Sequence, residues 1–372
     1  MAATRLEINL NALTHNFEFL KSKLSPETKT LAVVKAFGYG SDAAAVARHL
    51  ENLAIDYFAV AYVSEGVALR DAGITTPILV LHPQAENLEQ LIDRCLEPSL
   101  YSARIFKAFL NVAQEKEQVH YPVHLKFNTG LNRLGFWEND VNWILDRFRE
   151  MPTGKQGRET LRVKSIFSHL VASEDPAEHD FTQQQIASFR NSAQDLMKGL
   201  HYTPLLHQSN TSAVINYPEA QFDMVRIGIG LYGYGNDPSI TRQLQPVATL
   251  KTIISQIHQI EPGESVGYNR AYFAKAYERT ATLPLGHADG ISRTWGQGKG
   301  YVTIHGQKAP IIGNVCMDML MVNISGIDCQ EGDEVVVFGE GASTAALAEA
   351  LGTIPYELLT AVSQRVERLI LS

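Results

Sequence analysis

The sequence predicts an α/β fold, an N-terminal (β/α)8 TIM-type barrel followed by a mostly-β domain. Eight short apolar runs recur between residues 30 and 235, at 31–36, 57–62, 77–82, 98–101, 123–127, 163–168, 204–207 and 224–229. Most are separated by segments of helical character, the alternation of a barrel of parallel strands, although a doubly wound sheet would give the same one-dimensional pattern. After about residue 240 the texture changes to longer β-type runs broken by glycine turns, and helix signals become scarce. At 372 residues the chain also exceeds the size at which one hydrophobic core stops growing. The boundaries read as a barrel over 11–240 and a second domain over 241–372, with the opening strand over 1–10 joining the second domain.

In chain order, Leu6, Ile8 and Leu10 alternate as in a half-buried strand. Asn11 is then expected to cap a helix whose Leu13, Phe17, Leu20 and Leu24 recur at helical spacing. Helices follow the first two barrel strands at 42–50, rich in alanine, and at 64–72, ended by Gly73. Beyond the barrel, strands are expected at 248–260, 280–285, 301–304, 317–324 and 334–338, and short helices at 344–351 and 356–362.

Composition narrows the class. With 45% hydrophobic and 19% charged residues the chain reads as a soluble globular protein. Its net charge of -8 carries no basic block, which argues against nucleic acid and anionic membrane as partners. The opening residues lack the apolar core of a signal peptide, and no stretch approaches the roughly 20 apolar residues of a membrane span, so the cytoplasm is expected. Cys95, Cys316 and Cys329 are odd in number and widely spaced, fitting neither a disulfide framework nor a zinc site, and no metal is expected.

Barrel enzymes work at the carboxyl ends of their strands. The first apolar run ends in Lys35, where a glycine-containing turn begins, and a charge there must either snorkel outward or serve chemistry. A desolvated lysine loses its proton readily, and its neutral amine can form a Schiff base with an aldehyde cofactor. Tyr39 lies just beyond. The fifth run ends in Lys126, with Asn128 and Arg133 following; the sixth in Ser168-His169; the seventh in His207, with Asn210 and Thr211 following; the eighth passes through Arg226 into Gly228-Ile229-Gly230. Gly228, Gly230 and Gly233 match a dinucleotide fingerprint, but no acidic residue lies about 20 positions further on, where 248–255 contain none. Backbone N–H groups at Gly228 and Ile229, with the hydroxyls of Thr211 and Tyr39, could instead cradle a phosphate monoester. A Schiff-base lysine and a phosphate cradle on one rim suggest pyridoxal 5′-phosphate.

Here the residues resemble a known family. Val33-Val34-Lys35-Ala36-Phe37-Gly38-Tyr39-Gly40 resembles the cofactor-attachment motif of alanine racemases, and His124-Leu125-Lys126-Phe127-Asn128-Thr129-Gly130-Leu131-Asn132-Arg133-Leu134-Gly135 their arginine-bearing segment. Phe167-Ser168-His169, Val225-Arg226-Ile227-Gly228-Ile229, Val266-Gly267-Tyr268, Ala288-Asp289-Gly290, Val315-Cys316-Met317-Asp318-Met319 and Ile354-Pro355-Tyr356-Glu357 follow in family order over nearly the whole chain.

The resemblance implies a homodimeric racemase that interconverts L- and D-alanine by a two-base mechanism and supplies D-alanine for peptidoglycan. Lys35 would carry the cofactor and act as base on the D-alanine face, while Tyr268 from the partner subunit would serve the L-alanine face. His169 would hydrogen-bond Tyr268, and Arg226 would face the pyridine nitrogen. A guanidinium can only donate, so it keeps that nitrogen unprotonated and weakens the electron sink, favouring racemisation over transamination. Arg133 would reach the cofactor's phenolic oxygen or the substrate carboxylate, and Met317 and Asp318 would line the substrate site across the dimer. Tyr39, Asn210, Thr211, Gly228, Ile229 and Tyr356 would hold the cofactor, chiefly its phosphate. Lys126 matches a lysine carbamylated in many members. Three positions depart from the family pattern: Phe37 for the usual asparagine, Asn128 for aspartate and His287 for tyrosine. Amino-acid decarboxylases of similar build and a non-catalytic pyridoxal-phosphate carrier are the rival readings; Arg226 opposes the first and the β domain the second.

Overall fold

A computed structural model describes residues 3–151, 159–235 and 237–372. The first strand, β1 (Arg5–Asn9), buries Leu6 and Ile8 and leads into a helix over Leu10–Lys21. The cap of that helix is Asn9 rather than Asn11, its side-chain oxygen accepting from Ala12 N–H at 3.0 Å. Leu10 opens the helix instead of ending the strand, because Asn9, two residues before Asn11, already satisfies an orphan donor of the first turn.

Eight parallel strands follow: β2 (Lys29–Val33), β3 (Tyr57–Val60), β4 (Ile78–Val80), β5 (Glu97–Leu100), β6 (Tyr121–Lys126), β7 (Leu161–Phe167), β8 (Leu205–His207) and β9 (Met224–Ile227). They pair in the order β8-β7-β6-β5-β4-β3-β2-β9, all in parallel. The remaining seam is closed by backbone bonds from Asp223 N–H to Leu206 C=O and from Arg226 N–H to Ser209 C=O. The result is the barrel rather than the open sheet. Its helices lie outside; the one over Ala43–Asn52 is capped by Asp42, and that over Ala103–Glu115 by Ser102.

The second domain holds β10 (Ala248–Ile253), β11 (Gln256–Ile260), β12 (Ser265–Val266), β13 (Tyr272–Phe273), β14 (Glu278–Leu283), β15 (Tyr301–Ile304), β16 (Gln307–Ile312), β17 (Leu320–Asn323), β18 (Glu334–Phe338) and β19 (Glu367–Leu371). Nine strands form one sheet in the order β11-β14-β17-β16-β15-β18-β10-β1-β19. The single run expected over 248–260 is broken between β10 and β11; β11 takes one end of the order and β10 stands third from the other. β1 lies in this sheet, antiparallel to β10 and parallel to β19. Two short helices, Thr344–Leu351 and Pro355–Ala361, complete the domain, and the second reaches back over the barrel. Among the described residues, no helix is long and apolar enough to cross a membrane.

Arg368 of β19 joins the domains. Its guanidinium donates to the carbonyls of Gly40 at 2.9 Å and Ser41 at 3.2 Å on the barrel, and to that of Val362 at 3.0 Å on its own side. The turn carrying Lys35 is therefore held by both domains.

Candidate active site

At the carboxyl end of β2 the backbone changes hand. Ala36, Phe37 and Gly38 adopt φ of 52°, 56° and 64°, and Tyr39 and Gly40 continue with φ of 53° and 79°. This is a turn of left-handed helix with backbone bonds from Gly38 N–H to Val34 C=O and Gly40 N–H to Ala36 C=O. L-residues pay roughly 1–2 kcal/mol each for that hand. Surrounding contacts hold it. Glu65 accepts from Ala36 N–H at 2.6 Å and from Ala61 N–H at 2.7 Å, and the Tyr39 ring stacks on Tyr232 with centroids 4.5 Å apart. A side chain at Gly40 would lie 2.0 Å from the Leu359 carbonyl oxygen, so only glycine fits there.

The turn places Lys35 in a cavity of about 620 Å³ at the barrel mouth. Lys126 ends β6 and Arg133 comes from the segment after it, His169 from that after β7, Asn210 and Thr211 from that after β8, and Arg226, Gly228 and Ile229 from β9 onward. Tyr39 and Tyr356 line the same space. All the barrel-side candidates thus converge, as does Tyr356 from the second domain. Sequence reasoning missed Tyr62, Leu81 and His82, which line the opposite wall from ends of β3 and β4 that carry no distinctive motif.

Four cations face this cavity, and among the described residues no carboxylate lines it. Burial lowers the pKa of Lys35, and the Arg133 charge lowers it further against an opposing pull from Glu65. Lys126 is pulled down to about 8, first by burial and then by Arg133, Arg226 and Lys35. Both amines lie closer to their neutral, reactive form than exposed lysines do.

Arg226 is fully enclosed. Its terminal nitrogens donate to the carbonyls of Ser168, at 2.7 Å, and Gln208, at 2.8 Å, and to His207 Nδ1, at 2.8 Å, and His169 Nδ1, at 3.1 Å. None of these bonds uses Nε. Burial draws its pKa down to about 9, which leaves it charged near neutrality. A donor against Nδ1 of both histidines puts their remaining proton on Nε2. Burial and then the Arg226 charge hold both far below the usual histidine range, so both are neutral.

Thr211 Oγ1 accepts from Gly228 N–H at 3.2 Å and Gly230 N–H at 3.4 Å. The buried Ile229 N–H donates to no group among the described residues. A Cβ at Gly228 would lie 2.6 Å from the Tyr39 hydroxyl, so the glycine keeps a concave surface open. Asn210 caps the helix Thr211–Asn216, its oxygen accepting from Ala213 N–H at 3.0 Å and from the Ser173 hydroxyl at 2.8 Å.

Tyr268, Met317 and Asp318 are not brought into this cavity. They line a separate, open depression on the second domain that shares no lining residue with the first. Tyr268 is 71% exposed and Met317 59%. Asp318 is ion-paired with Arg365 at 2.7 Å, which also grips Asp289. His287 is exposed beside them, its N–H bonded to the Cys316 carbonyl. The Asn128 oxygen accepts from Gly130 and Asn132 N–H, as an aspartate would, while its amide donates to the Asn132 side chain at 2.9 Å, which an aspartate could not.

A model of the alanine racemase N-terminal domain matches residues 8–236, and one of the alanine racemase C-terminal domain matches 247–370. The chain belongs to the alanine racemase family. An alanine racemase of Methanococcus maripaludis is 33% identical over 375 residues, covering 98% of each chain, and one of Treponema denticola is 35% identical over 385 residues, covering 99% of this chain and 98% of that one. Among solved structures, an alanine racemase of Clostridium difficile 630 superposes with a TM-score of 0.91 at 32% identity, covering 100% of this chain and 96% of that one. Another, from Bartonella henselae with covalently bound pyridoxal phosphate, gives 0.87 at 27% identity with both chains fully covered at 100%.

Phe37, where an asparagine is usual in this family, sits at φ 56° and is 60% exposed. Asparagine tolerates the left-handed region better than phenylalanine. Phe37→Asn is expected to raise stability by about 1 kcal/mol, read from urea unfolding at fixed protein concentration. An unchanged or lower midpoint would show that the ring compensates for its backbone.

Proposed function

We propose that this chain interconverts L- and D-alanine with pyridoxal 5′-phosphate, using two proton carriers on opposite faces of the substrate, and that it supplies D-alanine for peptidoglycan. The observation that carries the reading is the Lys35 cavity itself: a lysine of lowered pKa beside a polar cradle, among cations that no lining carboxylate neutralises. The residues fit the cofactor. An orphaned Ile229 N–H, the Thr211 hydroxyl and the space kept by Gly228 suit a phosphate, helped by the Tyr39 and Tyr356 hydroxyls and by the Asn210-capped helix.

When bound, the cofactor withdraws electrons from the α-carbon of a joined amino acid and makes its proton removable. Lys35 would hold the cofactor and, once released, exchange a proton with the α-carbon on the D-alanine face. Its lowered pKa suits a base working near neutrality. Arg226, able only to donate, would keep the ring nitrogen unprotonated and so favour proton return to the α-carbon over side reactions. Arg133 would take the substrate carboxylate or the phenolic oxygen.

The opposite face would be completed by Tyr268 of the partner subunit, with Met317 and Asp318 lining the substrate's approach. The separate, exposed depression that holds them is what a second copy of the chain would cover. Neutral His169, with its proton on Nε2, is suited to hydrogen-bond Tyr268. Lys126, an amine whose pKa burial and the neighbouring Arg133, Arg226 and Lys35 lower, is a candidate for carbamylation. The ammonium would lose one proton, and the neutral amine would add carbon dioxide and release a second, turning one cation of the cluster into an anion.

The purified, cofactor-loaded protein is expected to convert L-alanine to D-alanine, followed by chiral chromatography; carbon dioxide release, or no reaction, would reject the reading. Borohydride reduction and peptide mapping should find the cofactor fixed to Lys35, and label on Lys126 instead would overturn the lysine assignment. Lys35→Ala and Tyr268→Phe should each be nearly inactive, because a two-base reaction needs a proton carrier on both faces. Refolded together in equal amounts they should recover at most about a quarter of wild-type activity, since half the random dimers are mixed and half their sites intact. Heterodimers proven by mass spectrometry yet no more active than the single variants would mean that Tyr268 acts within its own chain.

A further inference from the structure

The interior of a (β/α)8 barrel is ordinarily filled by layers of branched apolar side chains. Here three fully buried polar residues, His124, Ser165 and His207, occupy it. They bond to one another. Glu97 Oε2 lies 2.7 Å from His124 Nε2, His124 Nδ1 lies 2.6 Å from Ser165 Oγ, and Ser165 Oγ lies 2.8 Å from His207 Nε2. His207 Nδ1 lies 2.8 Å from Arg226 Nη1. The five residues come one each from β5, β6, β7, β8 and β9. They climb from the amino end of β5 to the Arg226 guanidinium at the cavity.

With both imidazoles neutral, the protons of this hydrogen-bonded series fall in one order. Arg226 can only donate, so His207 Nδ1 must accept and its proton is on Nε2. That proton goes to Ser165, whose own hydrogen is then free only for His124 Nδ1, which places the His124 proton on Nε2, facing Glu97. Four hydrogen bonds run in one direction between a cation and a carboxylate, and bonds aligned head to tail polarise one another. Among the described residues, the other hydrogen bonds of Arg226 go to carbonyls and His169, so Glu97 is the carboxylate to which its hydrogen bonds lead. Glu97 is itself set against the Tyr57 hydroxyl, whose ring meets that of His124 edge-on.

We propose that Glu97 is a positioning residue for Arg226, acting through His124, Ser165 and His207 across the barrel interior. It anchors the far end of the hydrogen-bonded series and so holds the His207 ring, and with it the plane of the guanidinium, in place, leaving Nε toward the cofactor ring nitrogen. The inference rests on the proposed role of Arg226, and the experiment separates the two.

In protein labelled with 15N-histidine, His124 and His207 should both appear as neutral Nε2–H tautomers; an Nδ1–H form of either in the wild type overturns the proposal without any variant. In the holoenzyme loaded with 15N-pyridoxal phosphate, Ser165→Ala and Glu97→Leu should shift the ring-nitrogen resonance. They should also lower kcat about tenfold with little change in KM, as loss of an outer orienting partner does. Ser165→Thr and Glu97→Gln, which keep the hydroxyl and the acceptor oxygen, should return both readouts toward wild type. If Arg226→Gln moves the ring-nitrogen resonance while folded Ser165→Ala and Glu97→Leu leave it in place, the chain is core packing and the proposal fails alone. A resonance that Arg226→Gln does not move would overturn the role of Arg226 and this inference with it.

Discussion

The carboxylate of Glu65 accepts backbone hydrogen bonds from Ala36, after β2, and from Ala61 and Tyr62, after β3. One side chain thus ties the left-handed turn beyond Lys35 to the neighbouring strand end, from below. From above, Gly40 lies against Leu359 and its carbonyl accepts from Arg368. Between these two clamps the chain keeps a hand that L-residues disfavour. The turn sets where the Lys35 amine stands and sends Tyr39 inward to Tyr232 and Gly228. Without it, the lysine would end an ordinary parallel strand and the second domain would lose the bonds that Arg368 makes to the barrel.

Charge is the second organising constraint. A cavity walled by two lysines and two arginines with no lining carboxylate is unfavourable unless anions enter it. The protein softens the cost by burying the amines, which lowers their pKa, and by wrapping Arg226 in carbonyl oxygens and neutral imidazoles. The outer depression around Tyr268 is different in kind: its one carboxylate is already satisfied by Arg365, and its exposed surface is largely methionine and tyrosine. The first surface suits a small charged molecule, the second an apolar cover.

Much of this was legible in the residues. A lysine ending a continuous apolar run, polar residues at successive strand ends, and the change to long β runs near residue 240 pointed to the barrel, its rim and a second domain. Where reading failed, a local signal was outweighed. Gly38 and Gly40 announced a turn, but three of the five left-handed residues are Ala36, Phe37 and Tyr39, whose own preferences oppose that hand. Asn9 took the helix cap from Asn11 because β1 ends there, a choice made by sheet pairing. His124 and Ser165 sit within runs that read as apolar strands; their partnership crosses from strand to strand, which linear periodicity does not record. Tyr268 and Met317 stood out through family resemblance alone, since a tyrosine after a glycine turn has no intrinsic mark.

β1 is made first and β19 last, yet they lie side by side, with Arg5 opposite Glu367 and Asn9 opposite Leu371. A ribosome releases the barrel strands long before the partner of β1 exists, so during synthesis β1 waits with one edge bare. Such long loop closure slows folding and leaves an unpaired strand open to other chains. Deleting β19 would leave that edge permanently uncovered and remove Arg368, the guanidinium that reaches the barrel turn. The first and last strands of this sheet therefore act as a latch: the molecule can be fastened only once β19 has emerged.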